Sequence, residues 1–258
     1  MAVWPGRLVR RDTDATELMD DPGADPHLLE RTYDQFHLIN TVIGRWRLTY
    51  RSWIRPLLRR EAVNSILDIG CGGGDVTRAL ARWALLDGFA CSILGIDPDE
   101  RAFDHAARKP AMPGLAYRRA YSGELAAAGH RFDVIISNHM LHHLNGDELD
   151  GLLADSERMC RMRVVHADLQ RSPVAYALFS TATWPVFRRS FIRADGLTSL
   201  RRSYTTAELS ALAPHGWQVA HQRPYRNLLI FDGPGPGGVA DRAGGDPTGQ
   251  AGRAAPGG

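Results

Sequence analysis

The 258-residue sequence predicts an α/β fold: a doubly wound, mostly parallel seven-stranded sheet with an N-terminal helical cap and a helical lid inserted after the fifth strand. Three observations predict it. From Asn64 onward, short apolar, β-branched runs recur without polar alternation, which is the pattern of strands buried on both faces. Helix-length stretches separate most of these runs, so successive strands are joined by crossovers and lie parallel. The first run ends in the turn "GCGGG" (Gly70 to Gly74), and glycines there let backbone approach a ligand closely.

Taken in order, residues 1–26 are polar and proline-containing and predict a disordered segment. Residues 27–60 form the cap: Leu29, Tyr33, Phe36, Ile39, Ile43 and Trp46 recur at steps of three and four, a helical stripe that must cover part of the core. The main domain spans 61–232. Its strands are "SILDIG", "CSILGID", "LAYRRA", "FDVIIS" and "RVVHAD", then two adjacent strands in "WQVAHQRPYRNLLIFDG", an antiparallel pair closing the sheet. Residues 169–204 interrupt the alternation with Tyr176, Phe179, Trp184, Phe187 and Phe191. An aromatic insertion at the carboxyl end of such a sheet lies where ligands bind, and predicts a lid over an apolar substrate. Residues 233–258, rich in glycine and proline without periodicity, predict a disordered tail.

Composition narrows the function classes. A net charge of +2, with no long block of like charge, argues against a nucleic acid partner; Lys109 is the lone lysine among many arginines. Cys71, Cys91 and Cys160 form neither a C-x-x-C pair nor an even disulfide framework, which fits a reducing compartment. No run approaches the ~18 apolar residues of a membrane span, and the first residues lack a secretory signal pattern. The expectation is a cytoplasmic protein, with peripheral membrane contact left open and no prediction of oligomeric state.

The surroundings of the glycines decide what the turn holds. Asp75 stands where a dinucleotide fingerprint needs its third glycine, and no Gly-Lys-Ser/Thr closes a phosphate loop. What remains is Asp68 before the turn and Asp97, then Pro98, after the second strand. That set suits S-adenosyl-L-methionine (SAM): Asp68 can face the cationic amino-acid end and Asp97 can accept both ribose hydroxyls, with no phosphate to cradle. Through "ILDIGCGGGD", "ILGIDPDERA", "FDVIISNHMLHHL" and "RVVHAD", over about residues 60–232, the sequence resembles the class I, Rossmann-like SAM-dependent methyltransferases. The resemblance implies that Asp68, Gly70, Cys71 and Gly72 line the methionine moiety, Asp97 binds the ribose, Pro98 flanks the adenine, and Asn138 and His139 lie beside the methionine end. Many relatives have an aspartate after the third strand, contacting the adenine amino group. This chain has "YSGEL", leaving Ser122, or Glu124, for that contact.

Outside the shared core, "LMDDPGADPHLLERTYDQFHLIN", "HADLQRSPVAYALF" and "RADGLTSLRRSYTTAEL" resemble a UbiE-like small-molecule subgroup associated with quinone and phenolic-lipid (type III polyketide) pathways. That implies a hydrophobic, ring-bearing acceptor, for which Tyr176, Phe179, Trp184 and Phe187 are the candidate pocket. Methyl transfer from a sulfonium is an in-line displacement, so the protein must mainly align the acceptor. A phenol (pKa ~10) also needs a base, and histidine suits that role. His142, His166 and His143 are the candidates; Asp168 could orient a histidine, and Arg193 and Asp195 could meet polar substituents. No metal is expected, because the histidine spacing matches no recognised zinc pattern. The expected activity is SAM-dependent methylation of a phenolic, quinol or polyketide-derived acceptor, oxygen slightly preferred over ring carbon. The alternatives are a protein or RNA methyltransferase and a non-catalytic SAM-binding protein.

Overall fold

A computed structural model describes residues 8–42, 44–184, 187 and 189–235. Strands β1 (Asn64–Ile69), β2 (Cys91–Ile96), β3 (Leu115–Arg118), β4 (Phe132–Asn138), β5 (Cys160–Leu169), β6 (Trp217–Gln222) and β7 (Arg226–Asp232) form one sheet in the order β3-β2-β1-β4-β5-β7-β6. β1 to β5 pair in parallel, and β7 pairs antiparallel with both β5 and β6. The strand order reverses between β1 and β4, the kind of switch point at which open α/β sheets bind ligands beyond their carboxyl ends.

Burial on both faces explains why these strands show no polar alternation. Leu67, Ile69, Ile135 and Val164 belong to a core under α5 (Ser122–Ala127), α6 (Gly146–Met159) and α9 (Thr206–Leu212). Their neighbours Ile66, Val134, Ile136 and Val165 face the opposite core, which is shared with α3 (Asp75–Leu86). Burying each such side chain stabilises the fold by roughly 1.5–3 kcal/mol.

The cap is helical as expected, in two pieces. α1 (Pro26–Val42) ends before Arg45, whose left-handed backbone (φ 46°) redirects the chain into α2 (Trp46–Thr49) and further helical turns to Leu57. Leu29 and Tyr33 pack on Ala102 of α4 (Glu100–Ala107), while Ile39 packs toward Phe187 and Ile192. Ile43 lies outside the described residues.

Two expectations need correction. Residues 8–25 are packed rather than disordered, because their polar groups find partners on the main domain. Arg11 donates to the carbonyls of His142 and Leu144 and to the Tyr204 hydroxyl, Asp195 accepts from the amides of Leu18 and Met19, and Glu17 is buried. Gly233 and Gly235 extend the ordered chain, their amides bonded to Met162 and Arg161. Residues 1–7 and 236–258 lie outside the described residues.

After β5 come α7 (Pro173–Thr183) and α8 (Ile192–Arg202), where the inserted helices were expected. They approach closely because Gly196 of α8 offers no side chain to the Phe179 ring of α7, where a Cβ would collide with it. Gly196→Ala should force that ring aside and cost about 1–3 kcal/mol. Urea unfolding should show the loss, with the unfolding slope unchanged.

Candidate active site

A cavity of about 590 Å³ opens at the carboxyl ends of β1, β2 and β4, reaching from the glycine turn to α7 and α8. At the turn, Gly70, Gly72 and Gly74 all take positive φ (66°, 53° and 74°), conformations that L side chains rarely adopt. Asp97 pins the turn: one oxygen accepts from the Gly72 amide (2.9 Å) and the other from Asp99 (2.9 Å). Asp68 is buried beneath it, with one oxygen accepting from the Thr77 hydroxyl (2.7 Å) and the other, also buried, without a partner. Burial, with Asp75 and Asp97 nearby, raises the Asp68 carboxyl to about 7.

A hydrogen-bonded chain crosses the floor. Arg226, fully buried against Trp46, donates to Asn138 (3.0 Å), Asn138 to Asn40 of α1 (3.0 Å), and Asn40 to Asp75 (2.7 Å). The cap thus helps to build this end of the cavity. His139 lines the cavity beside this chain with a left-handed backbone (φ 57°). Its buried Nε2 has no hydrogen-bond partner, and burial lowers its pKa to about 3, so the ring is neutral.

The other wall is a charge cluster. The buried His142 ring meets Asp168 through Nδ1 (2.7 Å) and Glu17 through Nε2 (3.2 Å), and its backbone N–H donates to the second Asp168 oxygen (2.8 Å). Burial alone would lower its pKa, but the two carboxylates raise it to about 9. Glu17 and Asp168, which burial would raise, are instead held at about 2 by the imidazolium. Ser199 donates to Glu17 (2.7 Å). His143 is partly exposed, with Nε2 3.6 Å from Glu17 and Nδ1 3.4 Å from Asp20. Donor atoms of Glu17, His142 and His143 lie within 4.8 Å of one another, so this cluster could also hold a cation.

Of the residues singled out from sequence, Asp68, Gly70, Cys71, Gly72, Asp97, Pro98, Asn138, His139, His142, His143 and Phe179 line one cavity, and Asp195 joins them. Others do not. His166 is fully buried with both ring nitrogens on serines (Ser137 2.8 Å, Ser156 3.1 Å) and its face on Trp217, so it belongs to the core and cannot serve as the base. Ser122 bonds Asp155 and Glu124 caps its own helix at Tyr121, so neither reaches the adenine side of the cavity. Tyr176 and Phe187 are buried in packing clusters, and Trp184 is exposed under the Arg193 guanidinium. Sequence reasoning missed Glu17, Met19 and Asp20, assigned to a disordered arm, and Asn40, which it did not single out; Tyr33 was read in the helical stripe as covering the core, with a pocket wall as the alternative. The acidic "ELMDD" beside an apolar helix was the available signal.

The site fits an adenosyl-sulfonium cofactor. The glycine turn admits close approach of a ligand, and the unpartnered buried oxygen of Asp68 lies in the same cavity lining as Asp97, which follows β2. Fold and site together define the class I methyltransferase architecture, with SAM as cofactor. Comparison with known proteins agrees. Residues 66–163 match the family model described as a methyltransferase domain. The ubiquinone biosynthesis O-methyltransferase of Rhizobium etli is 34% identical over 86 residues (33% of this chain, 32% of that protein). That of Cereibacter sphaeroides is 33% identical over 116 residues (44% of each chain). The chain therefore spans between about a third and under a half of the curated relatives it matches. Among solved structures, the plantazolicin methyltransferase BpumL, in complex with a pentazolic substrate analogue and adenosylhomocysteine, superposes with a TM-score of 0.54 at 14% identity, covering 84% of this chain and 93% of that one. The DszA carbon methyltransferase reaches 0.54 at 15% identity, covering 85% and 61%.

Two predictions follow from this geometry. A ligand ammonium needs Asp68 ionised, so adenosylhomocysteine affinity should be flat above about pH 7 and fall by up to about tenfold per unit below it. Calorimetry from acidic to mildly alkaline pH checks this, and Asp68→Asn should bind more weakly with a flat profile. Separately, Glu17→Gln should destabilise the protein by about 3 kcal/mol by leaving the buried imidazolium underpaired. The His142 contribution, with its folded pKa raised to about 9, is fully present below its ordinary value and lost as pH rises through 9; that of the two carboxylates is lost as pH falls through 2. Denaturation curves at stepped pH should show the wild type losing stability toward pH 10, and the variant, which keeps only Asp168 against the ring, losing less and at lower pH.

Proposed function

We propose that the protein is a UbiE-like, SAM-dependent methyltransferase that O-methylates a hydrophobic phenol or quinol. The observation that carries this reading is one continuous cavity that joins a SAM-type turn to an apolar chamber between α1, α7 and α8, with a histidine and two carboxylates where they meet. Bound at the turn, SAM supplies an electrophilic methyl group on sulfur. The chain's own residues must hold the acceptor oxygen in line and take its proton.

His143 is the base in this reading. His142 is committed to Asp168 and Glu17, and the buried ring of His139 resists protonation. His143 lines the cavity, stays partly exposed, and makes no short hydrogen bond through either nitrogen among the described residues. Its two ring nitrogens face Glu17 (3.6 Å) and Asp20 (3.4 Å). Ring C-methylation would need the same deprotonation and a different acceptor tilt. The names of the relatives in Rhizobium etli and Cereibacter sphaeroides support oxygen.

Incubation with trideuteromethyl-labelled SAM and alkylresorcinols or hydroxynaphthoquinols, read by mass spectrometry, should place label on oxygen. His143→Ala should lower kcat by about 10²–10⁴-fold while adenosylhomocysteine still binds. Chelation with EDTA should leave turnover unchanged. Metal-dependent turnover would instead make Glu17, His142 and His143 a cation site. Label on ring carbon would overturn the preference for oxygen.

A further inference from the structure

The acceptor end of the cavity has a one-sided charge. Glu17, Asp20 and Asp195 line it, Asp168 stands directly behind His142, and no lysine or arginine is among the described lining residues. Three lining carboxylates, with Asp168 behind His142, thus stand on this wall against two histidines, and the lining itself brings no permanent cation among the described residues. The apolar part of the same chamber is made by Phe36, Ile39, Leu178, Phe179, Ile192 and Leu200.

The arginines around this end are engaged elsewhere. Arg11 and Arg202 donate to backbone carbonyls of the arm and of the segment following β4. Arg101 is held by Asp99 and by the carbonyls of Met19 and Asp21. Arg226 is locked to Asn138 and Gly44 below the floor, and Arg193 lies over Trp184 and reaches Ser180. An acceptor carboxylate, sulfate or phosphate beside Glu17 would therefore lose its water without gaining a counterion, a like-charge placement that costs several kcal/mol.

We propose that the acceptor is electrically neutral, a hydroxylated ring on an apolar chain bearing no acidic group, and that Glu17, Asp20 and Asp195 reject its carboxylated counterpart. This rests on the methyltransferase reading above and narrows it: the reaction that supplies the substrate must release an already decarboxylated or otherwise uncharged phenol. A neutral phenol brings no charge, and its proton, passed to His143, stays inside the cluster.

The test uses the full chain loaded with adenosylhomocysteine and three ligands with one shared long alkyl chain: a resorcinol, the corresponding dihydroxybenzoate, and its methyl ester. Calorimetry should give similar affinities for the resorcinol and the ester and at least about a hundredfold weaker binding of the acid. Asp20→Asn removes a half-exposed carboxylate and should narrow that gap about fivefold or more. Binding of the acid as tight as that of the resorcinol overturns the proposal; so does an ester as weak as the acid, which would mean size and not charge, or a gap unmoved in the variant. If none of the three binds, the phenolic reading fails, and the charge rule is read from two fluorescent probes. Neutral N-phenyl-1-naphthylamine bound well above anionic 8-anilinonaphthalene-1-sulfonate supports it, and the reverse order overturns it.

Discussion

The contact on which the rest of the site depends is the buried ion triad of Asp168, His142 and Glu17. Asp168 lies one residue before the end of the fifth strand, His142 follows the fourth, and Glu17 comes from a segment nearly fifty residues ahead of the first strand. A buried imidazolium is costly unless it is paired. Each partner therefore makes the others tolerable, and removing one leaves uncompensated charge. The Glu17 carboxylate also takes the Ser199 hydroxyl, so one residue of the arm is tied at once to the sheet and to α8. A polar N-terminal segment without a core of its own becomes a cavity wall because its carboxylate has a buried cation to meet.

The cofactor end follows a different logic. Asp68, Asp75 and Asp97 are all pushed upward by burial, yet all line the same space. Crowding three carboxylates there is unfavourable in the free protein. In the proposed reading, a bound cation would relieve it, and part of the strain would become selectivity for a positively charged ligand. The Arg226–Asn138–Asn40–Asp75 chain spreads the remaining charge across sheet and cap.

The sheet was legible in the sequence because strands buried on both faces cannot alternate, and the gathering of Asp68, the glycine turn and Asp97 around one cavity because turn, strand end and acidic residue are local in the chain. What was illegible depends on partners distant in sequence. Nothing near His166 signals that Ser137 and Ser156 close both its nitrogens, and nothing near Glu17 signals that His142 lies across from it. The aromatic crowding after β5 was read as a pocket, yet Tyr176 and Phe187 turn into packing, and only Phe179 of the four candidates reaches the cavity. Aromatic content reports apolar burial without saying whether protein or ligand is on the other side.

The four histidines near the sheet's rim show how one residue type is divided by environment. His166 has two hydroxyl partners and no charge nearby, so burial leaves it neutral and structural. His139 is also neutral, with a nitrogen facing no partner, and suits contact with a ligand rather than proton transfer. His142 is charged and fixed. Of the four, His143 combines partial exposure and a place in the cavity lining with carboxylates that lie beyond short hydrogen-bond distance. Its position also orients the acceptor. The hydroxyl must reach the charged wall, while Leu178 and Ala182 of α7 are both exposed and part of the lining, so the apolar chain leads outward along that helix. In the proposed reaction a ring held inside, with its chain toward the opening, would turn its hydroxyl toward His143, and in-line displacement requires that hydroxyl to be aligned with the methyl group.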